Sequence, residues 1–225
     1  MGRLDNVEIL TFDCYGTLVD WESGIRRVLG QLRESHGVEA PVDRLLAEWE
    51  EIQFQMIGGP CRPYRDVLRD SLHEAFRRQG VQLAAEEADQ LGCTIGDWPL
   101  FPDTRPALAR LKARYRLGIL SNIDDWMLAR SVSRMGVEFD ELITAEQVQS
   151  YKPRPAHFHE AMRRFGAGPE QFLHCAFGLK YDHEPARRSG MQGAWIRRPG
   201  WIGDQPAEVT VVVDSLEELA QRLGV

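Results

Sequence analysis

Six residues of this sequence could do chemistry together. Asp13 ends a short apolar run, Val7-Glu8-Ile9-Leu10-Thr11-Phe12, and is followed at once by Cys14-Tyr15-Gly16-Thr17. A carboxylate at the end of a buried strand is costly unless something pairs with it. Ser121-Asn122 close a second apolar run, Lys152 follows a third, and Asp182 lies beyond a fourth. A carboxylate, two hydroxyls, an amide, an ammonium and a second carboxylate form a set able to make a covalent aspartyl ester. In that reading Asp13 attacks, Lys152 holds its charge, and Thr17, Ser121 and Asn122 donate hydrogen bonds. Each residue alone has a plainer role. Ser121-Asn122 or Asp182 could cap the helix that follows, and Lys152 could be a solvated loop charge. Their recurrence at four successive strand–helix junctions favours a single site.

The elements that must position them follow from periodicity. The first run reads as a strand. From about residue 23 to residue 96 the pattern turns helical: Ile25, Val28, Leu29 and Leu32 fall at i, i+3, i+4 and i+7. Leu45, Leu46, Trp49, Ile52 and Phe54 predict a second helical face, Val67 to Phe76 a third, and Ala84 to Leu91 a fourth helix, with Gly58 to Pro63 as a loop. Beyond Pro99 strands and helices alternate. Strands are expected at 117–120, 141–144, 172–177, 194–196 and 209–213, and helices at 104–115, 126–135, 156–165, 184–189 and 216–223. Repeated strand–helix units predict a three-layer α/β, Rossmann-like core with a parallel sheet, whose ligands sit at the C-terminal strand ends. The helical block interrupts this pattern and is expected to be a cap: core 1–17 and 99–225, cap 18–98.

Composition narrows the class. The chain has 225 residues, 43% hydrophobic and 27% charged, with a net charge of −7. That describes a globular protein and argues against nucleic acid as a partner. No apolar run reaches the length of a membrane span, and the polar opening Met1 to Asn6 does not read as a signal peptide. Cys14, Cys61, Cys93 and Cys175 are far apart and form no CxxC pair, so a reducing cytoplasm is the expected compartment. His157 and His159, two apart on a helix, make a poor metal pair.

The motifs also carry a family resemblance. Phe12-Asp13-Cys14-Tyr15-Gly16-Thr17-Leu18 resembles the first motif of the haloacid dehalogenase superfamily, Leu120-Ser121-Asn122 the second, Tyr151-Lys152-Pro153 the third, and the segment around Asp182 the fourth. Phosphatases of this superfamily carry a second Asp two residues after the nucleophile, where this chain has Tyr15. A halide leaves without a proton and needs no such acid. Tyr15 is similar to the L-2-haloacid dehalogenase branch. The resemblance implies a hydrolase of small organic acids that uses Asp13, forms an ester and needs no metal.

Departures are equally visible. Glu50 stands where the branch has a cap arginine, so Arg62 or Arg65 is the expected substitute, with Tyr15 and Tyr64 also against substrate. Phe158 stands for a Tyr of the branch, and Phe177 or Gly178 and Leu179 for its Ser and Asn. Two alternatives stay open: a magnesium-dependent phosphatase with Asp13 and Asp182 on the ion, and a non-catalytic binding member. The substrate is a small organic acid or a phosphate, and a homodimer is left open.

Asp13 and Lys152 are expected to act as a unit. Lys152→Ala should leave folding largely intact and lower turnover about as severely as Asp13→Asn. The double variant should be little worse than either single one, since members of one catalytic unit are not additive. Lys152→Arg should also be poor, because a planar fork does not replace a compact ammonium. Steady-state kinetics of the four variants test this, and additive losses would separate the two residues.

Overall fold

The computed structural model describes residues 4–198 and 208–225. Its strands are β1 (Ile9–Phe12), β2 (Arg116–Ser121), β3 (Glu141–Thr144), β4 (Phe172–Ala176), β5 (Gln192–Ile196) and β6 (Val211–Val213). Its helices are α1 (Trp21–Ser35), α2 (Val42–Gly58), α3 (Tyr64–Arg78), α4 (Ala85–Ala88), α5 (Gln90–Thr94), α6 (Thr104–Lys112), α7 (Asp125–Val132), α8 (Ala145–Val148), α9 (Ala156–Phe165), α10 (Glu184–Arg188) and α11 (Leu216–Arg222). Among the described residues the sheet has the order β3-β2-β1-β4-β5-β6, and every adjacent pair runs parallel.

Alternation across the strands explains the layers. Leu10 and Phe12 of β1 pack into the cluster that holds Leu108 and Leu111 of α6 and Leu216 and Leu219 of α11. Ile9, one residue off, packs with Phe158 and Phe165 of α9 and with Ala186 of α10. A strand buried on both faces needs helices on both, which is the three-layer arrangement that the alternating pattern predicts.

Helices α1–α5 lie in the chain between β1 and β2. In α2 the buried face is Leu45, Trp49 and Ile52, whereas Phe54 is 45% exposed. Phe54 follows Ile52 by two residues, which carries it to the far side of the helix. There its ring meets the edge of Tyr181, with centroids 5.4 Å apart. The expected fourth helix, Ala84 to Leu91, is instead two short pieces, α4 and α5, that meet at Asp89. Several ends also shift: β1 opens at Ile9, α6 stops at Lys112, and β6 begins at Val211.

One buried carboxylate ties this helical block to the sheet. Pro63 precedes α3 and provides no side-chain cap. The cap comes from Asp124, just after β2, whose oxygens accept from the backbone N–H of Tyr64 at 2.7 Å and of Arg65 at 3.0 Å. Asp124 is 4% exposed, so both bonds are made out of water. Tyr151 adds a second tie, donating from its hydroxyl to the Arg62 carbonyl at 2.7 Å. Asp124→Ala should lower stability by about 1–2 kcal/mol, the usual scale of a lost helix cap. Urea unfolding measures this, and an unchanged midpoint would show that the cap is dispensable.

Candidate active site

The turn that leaves β1 is built for close quarters. Gly16 has φ +99°, a left-handed conformation that side-chain-bearing residues rarely adopt. The turn directs Asp13 upward and brings Thr17 back beneath it, so that the Thr17 hydroxyl donates to Asp13 Oδ2 at 3.2 Å. The Phe177 N–H donates to the same hydroxyl at 3.0 Å, which fixes its direction. From below, Arg198 holds the Thr17 carbonyl at 3.0 and 2.7 Å, pairs with Asp103 at 2.9 and 2.8 Å, and lies over the Phe101 ring.

Lys152 is the hub. It is 1% exposed, and its Nζ donates to Asp13 Oδ1 at 2.9 Å, Asp182 Oδ1 at 2.5 Å and the Leu120 carbonyl at 2.8 Å. An ammonium has three protons to donate, and all three are used here. Burial works against its charge, but Asp13 and Asp182 together hold its pKa above the ordinary lysine value. Asp182 is also pushed up by burial, yet Lys152 and then His174 outweigh this and hold it well below the usual carboxylate range. Asp13 moves the other way: burial raises it and the Asp182 charge adds to that, against the pull of Lys152. The two carboxylates therefore differ in kind. Asp182 is the fixed charge, and Asp13 is the more basic of the two.

The remaining residues predicted from the sequence are placed as follows. Ser121 lines the cavity in front of Asp13, and its hydroxyl makes no hydrogen bond among the described residues. Asn122 neither caps a helix nor touches Asp13. Its side chain brackets the Lys152 backbone, donating to the carbonyl at 3.0 Å and accepting from the N–H at 2.7 Å. Tyr15 lines the cavity, with its hydroxyl 2.8 Å from Ser131 Oγ. Burial drives its pKa far above the ordinary phenol value, so it stays neutral. Tyr64 lines the helical side and accepts from Gln53 at 3.2 Å. Arg62 and Arg65 do not fit the substrate contact expected of them. The Arg62 guanidinium is held by Asp70 two turns along α3, and Arg65, 64% exposed at its side chain, lies beside Asp66. Glu50 and Lys180 sit at the cavity edge.

Sequence reasoning missed three supports. His174 is buried inside β4, with Nδ1 2.9 Å from the Thr11 hydroxyl and Nε2 3.1 Å from Asp182 Oδ1. An ionised carboxylate has only lone pairs to offer, so Nε2–H donates to it. His157 Nε2 lies 3.1 Å from the Ser121 carbonyl, and burial lowers its pKa to about 3, which leaves it a neutral donor. Gly178 permits the Asp182 carboxylate, since a Cβ there would lie 2.6 Å from Oδ2. The signal for His174 was a titratable residue in an otherwise apolar strand, in register with Thr11. The other two have no local signal.

A divalent ion on Asp13 and Asp182 would have to share both carboxylates with Lys152. Their Oδ1 atoms are already bridged by Lys152, and among the described residues no group of three His, Cys, Asp or Glu side chains converges. Magnesium would have to use the remaining Oδ2 atoms beside a bound ammonium and take its other ligands from backbone and water.

The geometry revises one expectation. Lys152→Ala would strand two buried carboxylates, so it should cost about 3–5 kcal/mol of stability near neutral pH. Asp182, held low in the folded chain, contributes stability above its unfolded pKa that is lost as pH falls. The deficit of the variant should therefore shrink in acid, where its stranded carboxylates take up protons. Urea unfolding at several pH values tests this. A deficit independent of pH would mean that Lys152 acts through packing alone.

Comparison with known proteins agrees with the geometry. The chain is 28% identical over 229 residues, 98% of each partner, to an (S)-2-haloacid dehalogenase of Pseudomonas fluorescens. It superposes on the crystal structure of an L-2-haloacid dehalogenase with TM-score 0.82 and 26% identity, over 97% of this chain and all of that one. A defluorinating L-2-haloacid dehalogenase shares the fold with TM-score 0.85 at 22% identity, over 97% of this chain and 96% of that one. The profile of the haloacid dehalogenase-like hydrolases matches residues 7–175, well over half of the chain, which therefore belongs to that family of hydrolases.

Proposed function

We propose that the protein is a metal-independent 2-haloacid dehalogenase. Residues 18–98 act as its cap, Asp13 is its nucleophile, and the cytoplasm is its compartment. The observation that carries this reading is Tyr15. The position two residues beyond the nucleophile holds a neutral phenol whose hydroxyl is engaged with Ser131. A phosphate ester needs a proton on its leaving oxygen, whereas a halide leaves as a stable anion.

An Asp13 oxygen attacks C2, the carbon–halogen bond breaks, and the halide departs with the electron pair. A water then attacks the ester carbonyl carbon of Asp13. The ester C–O bond on the Asp13 side breaks, the 2-hydroxy acid leaves, and the carboxylate is restored, with one proton released for each halide. Lys152, already on Asp13 Oδ1, offsets the charge that grows there; such a donor is commonly worth about 10²–10³ in rate. Asp182 remains ionised, and its Oδ2, which accepts no hydrogen bond from the described residues, orients the water, which gives one proton to the departing alkoxide and one to solvent. Ser121, whose hydroxyl has no hydrogen-bond partner among the described residues, takes the substrate carboxylate. The Pseudomonas fluorescens relative, an (S)-2-haloacid dehalogenase, supports the same reading.

Chloride-release assays on a panel of 2-chloro acids test the proposal. Release should be unaffected by a chelator and lost in Asp13→Asn. Magnesium-dependent phosphate release, with no halide from any member of the panel, would overturn it in favour of a phosphatase.

A further inference from the structure

The cavity in front of Asp13 has a volume of about 410 Å³. At roughly 30 Å³ per non-hydrogen atom, the share a water takes in the liquid, a three-carbon chloro acid fills under half of it. The surplus is walled by aromatic rings. Trp21 and Trp49 lie with centroids 6.2 Å apart, Trp98 meets the edge of Tyr15 at 5.9 Å, and Phe177 and Tyr181 also line the space.

This wall is held in place. Trp98 is 5% exposed, donates from Nε1 to Thr94 at 3.2 Å, and lies where a Cβ on Gly24 would come within 2.3 Å of its ring. Trp49 is 3% exposed, and its indole N–H has no hydrogen-bond partner among the described residues. The charges at the cavity edge, Glu50 and Lys180, are opposite in sign, and no arginine among the described residues lines the space. Nothing there holds a second anion, while flat apolar surface is plentiful.

We propose that this cavity selects a 2-haloacid whose carbon chain carries an aryl group, such as a 2-halo-3-arylpropanoate, over two- and three-carbon haloacids. The proposal rests on the hydrolase reading for its reacting end and on the aromatic wall for its other end. Stacked and edge-on ring contacts favour an aryl group over an alkyl chain of equal size.

Two measurements separate the layers. Isothermal titration of the wild-type protein with 3-phenylpropanoate and with propanoate, neither of which can react, reads the wall alone. The aryl acid should bind at least tenfold more tightly. Chloride release from 2-chloro-3-phenylpropanoate and from 2-chloropropanoate reads the chemistry, and kcat/KM should favour the aryl acid about 100-fold. Gln53→Trp, which narrows the cavity from α2 outside the buried core, should cut both preferences tenfold or more. Equal binding of the two analogues, or a kcat/KM that favours 2-chloropropanoate, overturns the aryl selection and leaves the hydrolase reading intact. Preferential binding of 3-phenylpropanoate with no chloride released from either acid overturns the dehalogenase reading and leaves the selectivity of the wall standing.

Discussion

A lysine ammonium buried between two carboxylates is the interaction on which the rest of this structure depends. Lys152 meets Asp13, Asp182 and a strand carbonyl at once, in a place where water does not reach. Two buried acids without that cation would repel each other and would each lack solvation. With it, one acid becomes a fixed charge and the other remains available for chemistry. His174 deepens the asymmetry, because it adds a hydrogen bond to Asp182 Oδ1 and makes none to Asp13.

Holding three charges within hydrogen-bond reach demands a rigid frame, and the parallel sheet supplies one. β1 lies between β2 and β4, so the residues that follow these strands meet above one short stretch of edge. Thr17 then links the turn after β1 to the loop after β4, and Asn122 links the end of β2 to the Lys152 backbone. The helical block closes the space above. Its attachment through Asp124 begins two residues after Asn122, so the same loop positions both the lysine and the roof. Loop after loop thus spends its polar groups on holding its neighbour, which is how a site on mobile elements acquires the precision of the sheet.

The sequence made the acids, hydroxyls and lysine legible because each punctuates an apolar run, and polar residues at such ends stand out. Alternating strand and helix periods gave the layers for the same reason. Pairing between distant segments was hidden. Arg62 looked available because nothing nearby in the sequence shows that Asp70, two helical turns on, faces it. Asn122 looked like a cap or a donor to Asp13, because its bracket on Lys152 spans thirty residues. His174 passed as part of a buried strand, and Asp124 drew no reading at all, although its carboxylate serves α3. Phe54 was placed in the core by hydrophobicity, although its angular position on α2 turns it outward. In each case the missing information was three-dimensional register.

The central claim is that Asp13, charge-balanced by Lys152, forms and then loses an ester. A single turnover in ¹⁸O-labelled water, with enzyme in excess over a 2-chloro acid, tests it most directly. Water attacking the ester carbonyl leaves its oxygen on the enzyme. The account therefore predicts one heavy oxygen in the peptide that contains Asp13, as read by mass spectrometry, and none in the first 2-hydroxy acid released. A heavy oxygen in the product, with Asp13 unlabelled, would mean that water attacks the substrate carbon directly and would contradict the account.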